Sequence, residues 1–193
     1  IPLTFANMFF GMMYQQLMPA YVDVFGLGPR EIGYLFTAVG IGSVAGTFIV
    51  GRFQNASYLG WIILGGSFTF AMMVILFAFS PEYFLSMGLA ILAGVFNSVF
   101  MISTMTAMQL KVPEGLRGRV MGIYSITFSL IPMGALLGGA ITEFSADVTS
   151  LVAPIRIAIA SGAILLAAIV LLVAATQREI RSLNGRDLAA SSD

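Results

Sequence analysis

Two groups of side chains in this sequence could bind a small molecule, and both recur at helical spacing. Near the start, polar or small side chains fall within an arc of about 100° if the chain turns by about 100° per residue. They are Thr4, Asn7, Gly11, Tyr14, Gln15 and Met18. A second stripe, within an arc of about 120°, comprises Gly94, Asn97, Ser98, Met101, Thr104, Met105 and Met108. Amides can orient a ligand by hydrogen bonds, and methionine adapts to varied apolar shapes.

The residue types that usually carry catalysis are missing or badly placed. The chain has no Cys and no His, so thiolate chemistry, the common zinc sites and imidazole proton transfer are excluded. An intramembrane enzyme acting on lipids would need a nucleophile beside a base, and Ser98, Ser125 and Ser129 lack one. We therefore expect no enzyme activity, no cofactor and no metal.

The elements that carry the two stripes are defined by where charge is absent. All 18 charged side chains lie between six uncharged stretches, which are residues 1–22, 32–51, 53–81, 83–110, 120–142 and 157–177. A bilayer core of roughly 30 Å needs about 20 apolar residues of helix. With 59% hydrophobic residues and a mean hydropathy of +0.97, the chain has too little polar surface for a soluble globule. The sequence predicts a multi-pass membrane protein.

The predicted fold is all-α, with six transmembrane helices in one bundle over residues 1–177. The helices are expected at about 1–25, 32–51, 58–79, 84–110, 119–142 and 155–176, and residues 178–193 form a polar cytoplasmic tail. The net charge is zero and no basic run occurs, which argues against a nucleic acid partner and leaves membrane lipid as the expected surroundings. The uncharged beginning at Ile1 is expected to be a truncation.

The distribution of Lys and Arg predicts which side each connection faces. On one side lie Arg52, Lys111, Arg117, Arg119, Arg178, Arg181 and Arg186, whereas the other side has Arg30 and Arg156 alone. Cytoplasmic loops carry the excess of Lys and Arg. Both ends of the chain are therefore predicted to be cytoplasmic, and the connections near Pro29, Pro81 and Pro154 external.

Small residues and prolines predict local helix geometry. Close helix contacts are expected on the face of the second helix that holds Ala38, Gly42, Ala45 and Gly46, and on the face of the fifth that holds Gly134 and Gly138. A turn is expected at residues 26–29, and interruptions of the helix at Pro19 and Pro132.

The connection before the fifth helix carries a family resemblance. Residues 112–125 read VPEGLRGRVMGIYS and residues 132–139 read PMGALLGG. Together with the glycines of residues 26–46, these closely resemble the C-terminal half of major facilitator superfamily transporters, in the drug-efflux and enterobactin-exporter branch. One departure is that residues 51–55, GRFQN, lack the Asp of the family's loop motif. That departure puts a charge latch at this loop in doubt.

The resemblance implies that the six segments are the seventh to twelfth helices of a twelve-helix carrier whose N-terminal bundle is missing. The first and fourth segments would then line its central cavity. The implied substrate-cavity residues are Asn7, Gly11, Tyr14, Gln15, Asn97, Met101 and Thr104. A cytoplasmic gating loop is implied at Pro113, Arg117, Gly118 and Arg119, with the missing half as the partner.

The implied function is a secondary exporter of hydrophobic or amphiphilic small molecules, of drug or siderophore type. It would work by alternating access in a bacterial inner membrane, with proton antiport as the energy source. Residues 1–193 leave two alternatives open: a lysophospholipid-type transporter of the same fold, and a membrane scaffold or accessory subunit that moves no solute. Interhelical hydrogen bonding is the competing explanation for Asn7, Gln15 and Asn97.

The predicted sidedness can be tested with reporter fusions. Fused after Gln177, a green fluorescent protein should fluoresce and an alkaline phosphatase should be inactive, because both would lie in the cytoplasm. Fused after Pro81, the activities of the two reporters should be reversed. An active phosphatase after Gln177 would contradict the predicted orientation.

Overall fold

A computed structural model describes residues 2–52, 58–112, 114–146 and 154–176, and all regular structure in these ranges is helical. The helices are α1 (Pro2–Ala6), a π-turn (Asn7–Gly11), α2 (Met13–Gln16), α3 (Met18–Asp23), α4 (Pro29–Gly51), α5 (Leu59–Ala78), α6 (Tyr83–Lys111), α7 (Glu114–Thr127), α8 (Leu130–Ala146) and α9 (Pro154–Thr176). We call Pro2–Asp23 the first segment. The polar tail predicted for residues 178–193 lies outside the described residues.

Five helical runs in the described residues are long and apolar enough to cross a membrane. They are Pro29–Gly51, Leu59–Ala78, Tyr83–Leu110, Gly115–Ser145 and Pro154–Thr176. The first segment is apolar too, but it is divided into short pieces and so does not form a helix of spanning length. The all-α membrane fold is confirmed, and the chain is a multi-pass membrane protein. The positions of the charged residues predict this fold because an ionised side chain is energetically costly inside the bilayer.

The first segment is interrupted twice. Between Asn7 and Gly11 the helix widens, and the N–H of Met12 donates to the carbonyl of Asn7, five residues back, at 3.0 Å. The second interruption is at Leu17, two residues before Pro19. Proline has no N–H for the carbonyl four residues back. The interruption predicted at Pro19 is therefore confirmed.

The run from Glu114 to Ala146 is also divided near a proline. α7 ends at Thr127 and α8 begins at Leu130. Pro132 cannot donate to the carbonyl of Phe128, and the N–H of Ile131 bonds that carbonyl instead, at 3.2 Å. The predicted interruption at Pro132 is confirmed as well.

Glycines bring α4 and α6 into backbone contact. A Cβ at Gly42 would overlap the carbonyl oxygen of Ile91, and one at Gly46 would lie 2.5 Å from that of Val95. From the other side, a Cβ at Gly94 would overlap the carbonyl oxygen of Val39. Lipid tails are as apolar as the helices, so helices in a bilayer associate through such close packing. The contact face predicted in the second helix is confirmed.

The first segment packs in the same way against α8 and α9. Gly134 meets the carbonyl of Phe9, where a Cβ would overlap it. A Cβ at Gly138 would lie 2.8 Å from carbons of both Met13 and Leu17. Glycine is therefore required at Gly134, where the contact is with backbone, and it allows the side chains of Met13 and Leu17 to pack closely at Gly138. This confirms the contact face predicted in the fifth helix.

At the predicted external end, Tyr21 links three helices. Its hydroxyl donates to the carbonyl of Phe77 in α5 at 2.7 Å and lies 2.9 Å from Oγ of Ser86 in α6. Its ring stacks on Phe77 with centroids 4.4 Å apart. The guanidinium carbon of Arg156 in α9 is 5.9 Å from the centre of the Tyr21 ring and 5.4 Å from that of Phe25. These contacts fix the first segment to α5, α6 and α9 at one end.

The same end holds the turn between the first segment and α4. Gly26 has a φ of +65°, a conformation that glycine adopts without steric cost, and the turn predicted at residues 26–29 is confirmed. The N–H of Gly28 donates to the carboxylate of Glu31 at 3.1 Å, which caps α4. Tyr83 at the start of α6 then donates to the carbonyl of Glu31 at 2.7 Å.

The α4–α6 contact predicts a large difference between two glycines of one helix. Replacing Gly42→Ala should lower the stability of the complete protein by about 1–3 kcal/mol, because the new methyl group overlaps the α6 backbone. Gly40→Ala is the matched control, since no atom lies within 4 Å of a Cβ there. Thermal unfolding of both variants in the same detergent measures the difference. Equal melting temperatures would contradict the close contact.

Candidate functional site

The polar stripe of the first segment lies partly inside the bundle. Asn7 is 0% exposed, and neither its Oδ1 nor its Nδ2 has a hydrogen-bond partner among the described residues. The same is true of Oγ1 of Thr4, one turn earlier. Asn7 is the first residue of the π-turn, so the widened turn begins at the buried amide.

Gly11 and Tyr14 face helices α5 and α9. A Cβ at Gly11 would lie 2.8 Å from Cε1 of Phe70 and 3.0 Å from Cδ2 of Leu166. The ring of Tyr14 is 1% exposed and meets Phe70 and Phe77 edge to face, with centroids 5.9 Å apart in both pairs. These residues pack the bundle interior, and their predicted place in a substrate cavity stays a prediction.

Gln15 is the accessible member of this stripe. It is half-buried, and its Nε2 donates to the hydroxyl of Tyr14 at 3.3 Å. The amide oxygen of Gln15, Oε1, belongs to a half-buried side chain that solvent or a ligand can reach. Gln15 can therefore present an amide to a ligand while Tyr14 anchors it.

The second stripe runs along α6, where Asn97 and Thr104 are nearly buried and Met105 is exposed. Asn97 and Thr104 lie two turns apart on one face, with exposed fractions of 9% and 8%. Oδ1 of Asn97 and Oγ1 of Thr104 make no hydrogen bond to any other described residue. Met101 lies between them, half-buried and packed against the core. This face thus combines two buried oxygens, which lack a hydrogen-bond partner among the described residues, with a half-buried and flexible apolar side chain.

The two stripes lie at similar depth. Tyr21 of the first segment contacts Ser86 of α6, which fixes one common level. Asn97 is 11 residues along α6 from Ser86, or about 16 Å at 1.5 Å per residue, and Gly11 is 10 residues back along the first segment from Tyr21. The amides of the two segments therefore lie within a turn or two of the same level. The region has hydrogen-bonding capacity without any ionisable carboxylate or amine.

The residues of the predicted gating loop lie mostly in a helix. Arg117, Gly118 and Arg119 are in the first turns of α7 and are exposed, and Pro113 lies outside the described residues. Nε of Arg117 donates to the carbonyl of Val112 at 3.3 Å. Helical geometry sends Arg117 and Arg119 to different sides of α7. Their role as gating residues stays a prediction.

Two buried polar side chains are not among the predicted site residues. Ser67 in α5 is 0% exposed, and its Oγ has no partner among the described residues. Thr4 belongs to the first stripe but is not among the predicted cavity residues. No sequence pattern singles out Ser67, which simply follows Gly65 and Gly66 in α5. The described ranges hold no group of three or more His, Cys, Asp or Glu side chains close enough to share a metal ion.

Comparison with known proteins identifies the class to which these helices belong. The Major Facilitator Superfamily model matches residues 1–191, and the chain belongs to that family of transporters. Its close glycine contacts and semi-polar interior stripes are thus features of a transporter bundle.

Among similar proteins is the enterobactin exporter EntS of Shigella boydii serotype 18, 28% identical over 126 residues. The EntS proteins of Shigella flexneri and Escherichia coli O139:H28 are 27% identical over the same length. Each alignment covers 64% of this chain and 30% of the relative. No solved structure matches.

Since the chain has no cysteine, introduced thiols can report access to the α6 stripe. In the complete protein, carried in a background otherwise free of reactive thiols, Met101→Cys should react with a small hydrophilic thiosulfonate, because Met101 is half-buried beside free polar atoms. Ala93→Cys is the control, since Ala93 is 0% exposed on the same helix. Equal reaction rates at the two positions would argue against an accessible polar face.

Proposed function

We propose that the complete protein exports a siderophore-type or similar amphiphilic small molecule across a bacterial inner membrane. The similarity to enterobactin exporters supports this substrate class. The observation that carries the proposal is the α6 stripe, where oxygens of Asn97 and Thr104 have no hydrogen-bond partner among the described residues and lie beside Met101. A catechol ring offers hydroxyl donors to such oxygens and an aromatic face to the methionine.

In this proposal the substrate lies against α6 and Gln15 of the first segment. Gln15, Asn97, Met101 and Thr104 would line the cavity, and the buried Asn7, Gly11 and Tyr14 would form the wall behind it. A second six-helix bundle, outside residues 1–193, would close the other side. The two bundles would rock around this midmembrane site.

Proton antiport is the proposed energy source. Residues 1–193 would need a coupling carboxylate from another part of the complete protein. The carboxylates of Asp23, Glu31, Glu82 and Glu143 stand at or near helix ends in the described ranges. A proton relay inside the membrane uses carboxylates or histidine within the helices. The coupling carboxylate is therefore proposed to belong to the other bundle.

The C-terminus is proposed to be cytoplasmic.

A lysophospholipid-type transporter is the second candidate, and one groove favours it. The groove, of about 710 Å³, lies between the first segment, α8 and α9. Its lining is apolar, and includes Phe5, Phe9, Phe10, Met133 and Ile169. An acyl chain would fit such a lining better than a catechol would, since it has no hydroxyl groups to satisfy.

The test is substrate uptake into inverted membrane vesicles that contain the complete protein. A catecholate siderophore, a panel of hydrophobic drugs and a lysophospholipid should be supplied separately, with and without a proton gradient. The proposal expects gradient-dependent uptake of the siderophore. Uptake that does not depend on the gradient would contradict proton antiport. Preferential uptake of the lysophospholipid would favour the second candidate. No uptake of any of the three would favour a membrane scaffold or accessory subunit that moves no solute.

The same assay tests the α6 stripe. Asn97→Leu should lower the initial rate of siderophore uptake by about three- to tenfold, which corresponds to one lost hydrogen bond. Gln109→Leu is the control, because it removes an exposed amide from the same helix. If both variants lose activity equally, Asn97 has no special contact with substrate.

A further inference from the structure

A groove runs between α4 and α6 near the end of the bundle where α4 begins. It has a volume of about 340 Å³. Several of its side chains are widely exposed, so the groove opens on the surface of the described bundle. The residues used below are Tyr34, Thr37 and Ile41 on the α4 side, and Phe84, Met87 and Ile91 on the α6 side.

Three hydroxyl groups belong to the groove, and two of them are bonded to backbone. The hydroxyl of Thr37 donates to the carbonyl of Gly33 at 2.8 Å. That of Tyr83 donates to the carbonyl of Glu31 at 2.7 Å. The third hydroxyl, on Tyr34, lies at the open end, and the rest of the lining is aliphatic, aromatic or thioether. An occupant must therefore be apolar over most of its length.

The other end of the groove is closed. A Cβ at Gly42 would overlap the carbonyl oxygen of Ile91, so α4 and α6 are in backbone contact directly after Ile41. Tyr34 and Ile41 are seven residues apart, which is about 10 Å along a helix. The groove is thus an apolar slot that is open beside Tyr34 and closed two turns further along.

Arg30 stands at the open end of this slot. With Tyr34, Thr37 and Ile41 it follows the i, i+4, i+7 and i+11 spacing of one helix face. Its Nε donates to the Tyr34 hydroxyl at 2.7 Å, and its guanidinium carbon lies 5.5 Å from the centre of that ring. The side chain is exposed, and its terminal nitrogens make no hydrogen bond or ion pair within the part of the chain that the structure describes.

The charge of Arg30 is not neutralised by the carboxylate beside it in sequence. Glu31 accepts a hydrogen bond from the N–H of Gly28 at 3.1 Å and so caps the helix. Arg30 precedes the uncharged stretch 32–51, which places its guanidinium at the level of the lipid headgroups. A guanidinium binds phosphate through two parallel N–H bonds. The open end of the slot can therefore bind a phosphate group.

We propose that the α4–α6 groove binds one glycerophospholipid, with an acyl chain in the slot and the phosphate at Arg30. Charge complementarity decides this choice, because an uncharged lipid would leave the guanidinium without a counter-ion and a free phosphate would leave the slot empty. Basic pockets between membrane helices bind phospholipid headgroups in this way. The groove shares no residue with the α6 stripe, so the proposal is independent of the exported substrate.

Photolabelling of the complete protein in lipid nanodiscs tests this proposal. One probe is a phosphatidylglycerol that carries a diazirine in one acyl chain, and the other is a diacylglycerol with the same chains and no phosphate. The phosphatidylglycerol should label residues 83–91 about tenfold more than the diacylglycerol does, which corresponds to one charge-assisted hydrogen bond. Labelling of Ile164 and Leu165, which are exposed in α9, gives the background for each probe.

Two results of this experiment would overturn the proposal. Equal labelling of residues 83–91 by the two probes would mean ordinary contact with lipid, without recognition of the phosphate. No labelling of these residues by either probe would mean that another part of the complete protein covers the groove.

Variants of Arg30 test the phosphate contact. Arg30→Gln should reduce labelling by phosphatidylglycerol to the level of the diacylglycerol, whereas Arg30→Lys should keep most of it, because lysine also binds phosphate. Arg52→Gln is the control, since it removes an exposed charge just after the other end of α4, and it should change nothing. Unchanged labelling in Arg30→Gln would overturn the proposal.

A second pair of variants tests the acyl chain and leaves Arg30 intact. Ile41→Trp would fill the closed end of the slot and should lower labelling of residues 87–91 several-fold. Val44→Trp is the control, because Val44 is exposed to a similar extent on the same helix, 60% against 57% for Ile41, but does not line the groove. Equal labelling in the two variants would overturn the placement of the chain in the slot.

Discussion

Backbone-to-backbone contact at glycine is the constraint on which the rest of this bundle depends. In a bilayer the helices gain nothing by hiding apolar side chains from lipid, so they must gain by packing closely. Gly42, Gly46 and Gly94 let α4 and α6 meet at their carbonyls, and Gly134 does the same for the first segment and α8. These contacts set the positions of α6 and of the first segment, and thereby the positions of the two polar stripes.

Much of this arrangement can be predicted from the sequence because the membrane makes charge and small residues informative. Charged residues mark the helix ends, and the glycine faces of the second and fifth predicted helices are the faces that make contact. Pro19 likewise stands two residues after the interruption at Leu17, and Pro132 three residues after the interruption that ends at Ser129. In each case a local chemical property of the residue decides the structure, so no knowledge of the tertiary fold is required.

The remainder depends on tertiary neighbours and could not be predicted. A helical wheel puts Asn7, Gly11, Tyr14 and Gln15 on one stripe, but it cannot say that Tyr14 packs between Phe70 and Phe77 while Gln15 stays accessible. Ser67 gives little warning, since most helical serines bond their own backbone. The sequence predicts this helix only from residue 119, because the charged residues and glycines of residues 114–118 are typical of a loop, whereas α7 begins at Glu114.

The π-turn has a consequence for how the first segment tolerates changes in length. A hydrogen bond that spans five residues accommodates one residue more than an α-turn does, which shifts the angular phase of everything after it by about 100°. Loss of one residue from Asn7–Gly11 would turn the widened turn into a regular α-turn and leave the two halves of the segment facing as they do now. A single deletion here should therefore be tolerated better than a deletion elsewhere in the first segment.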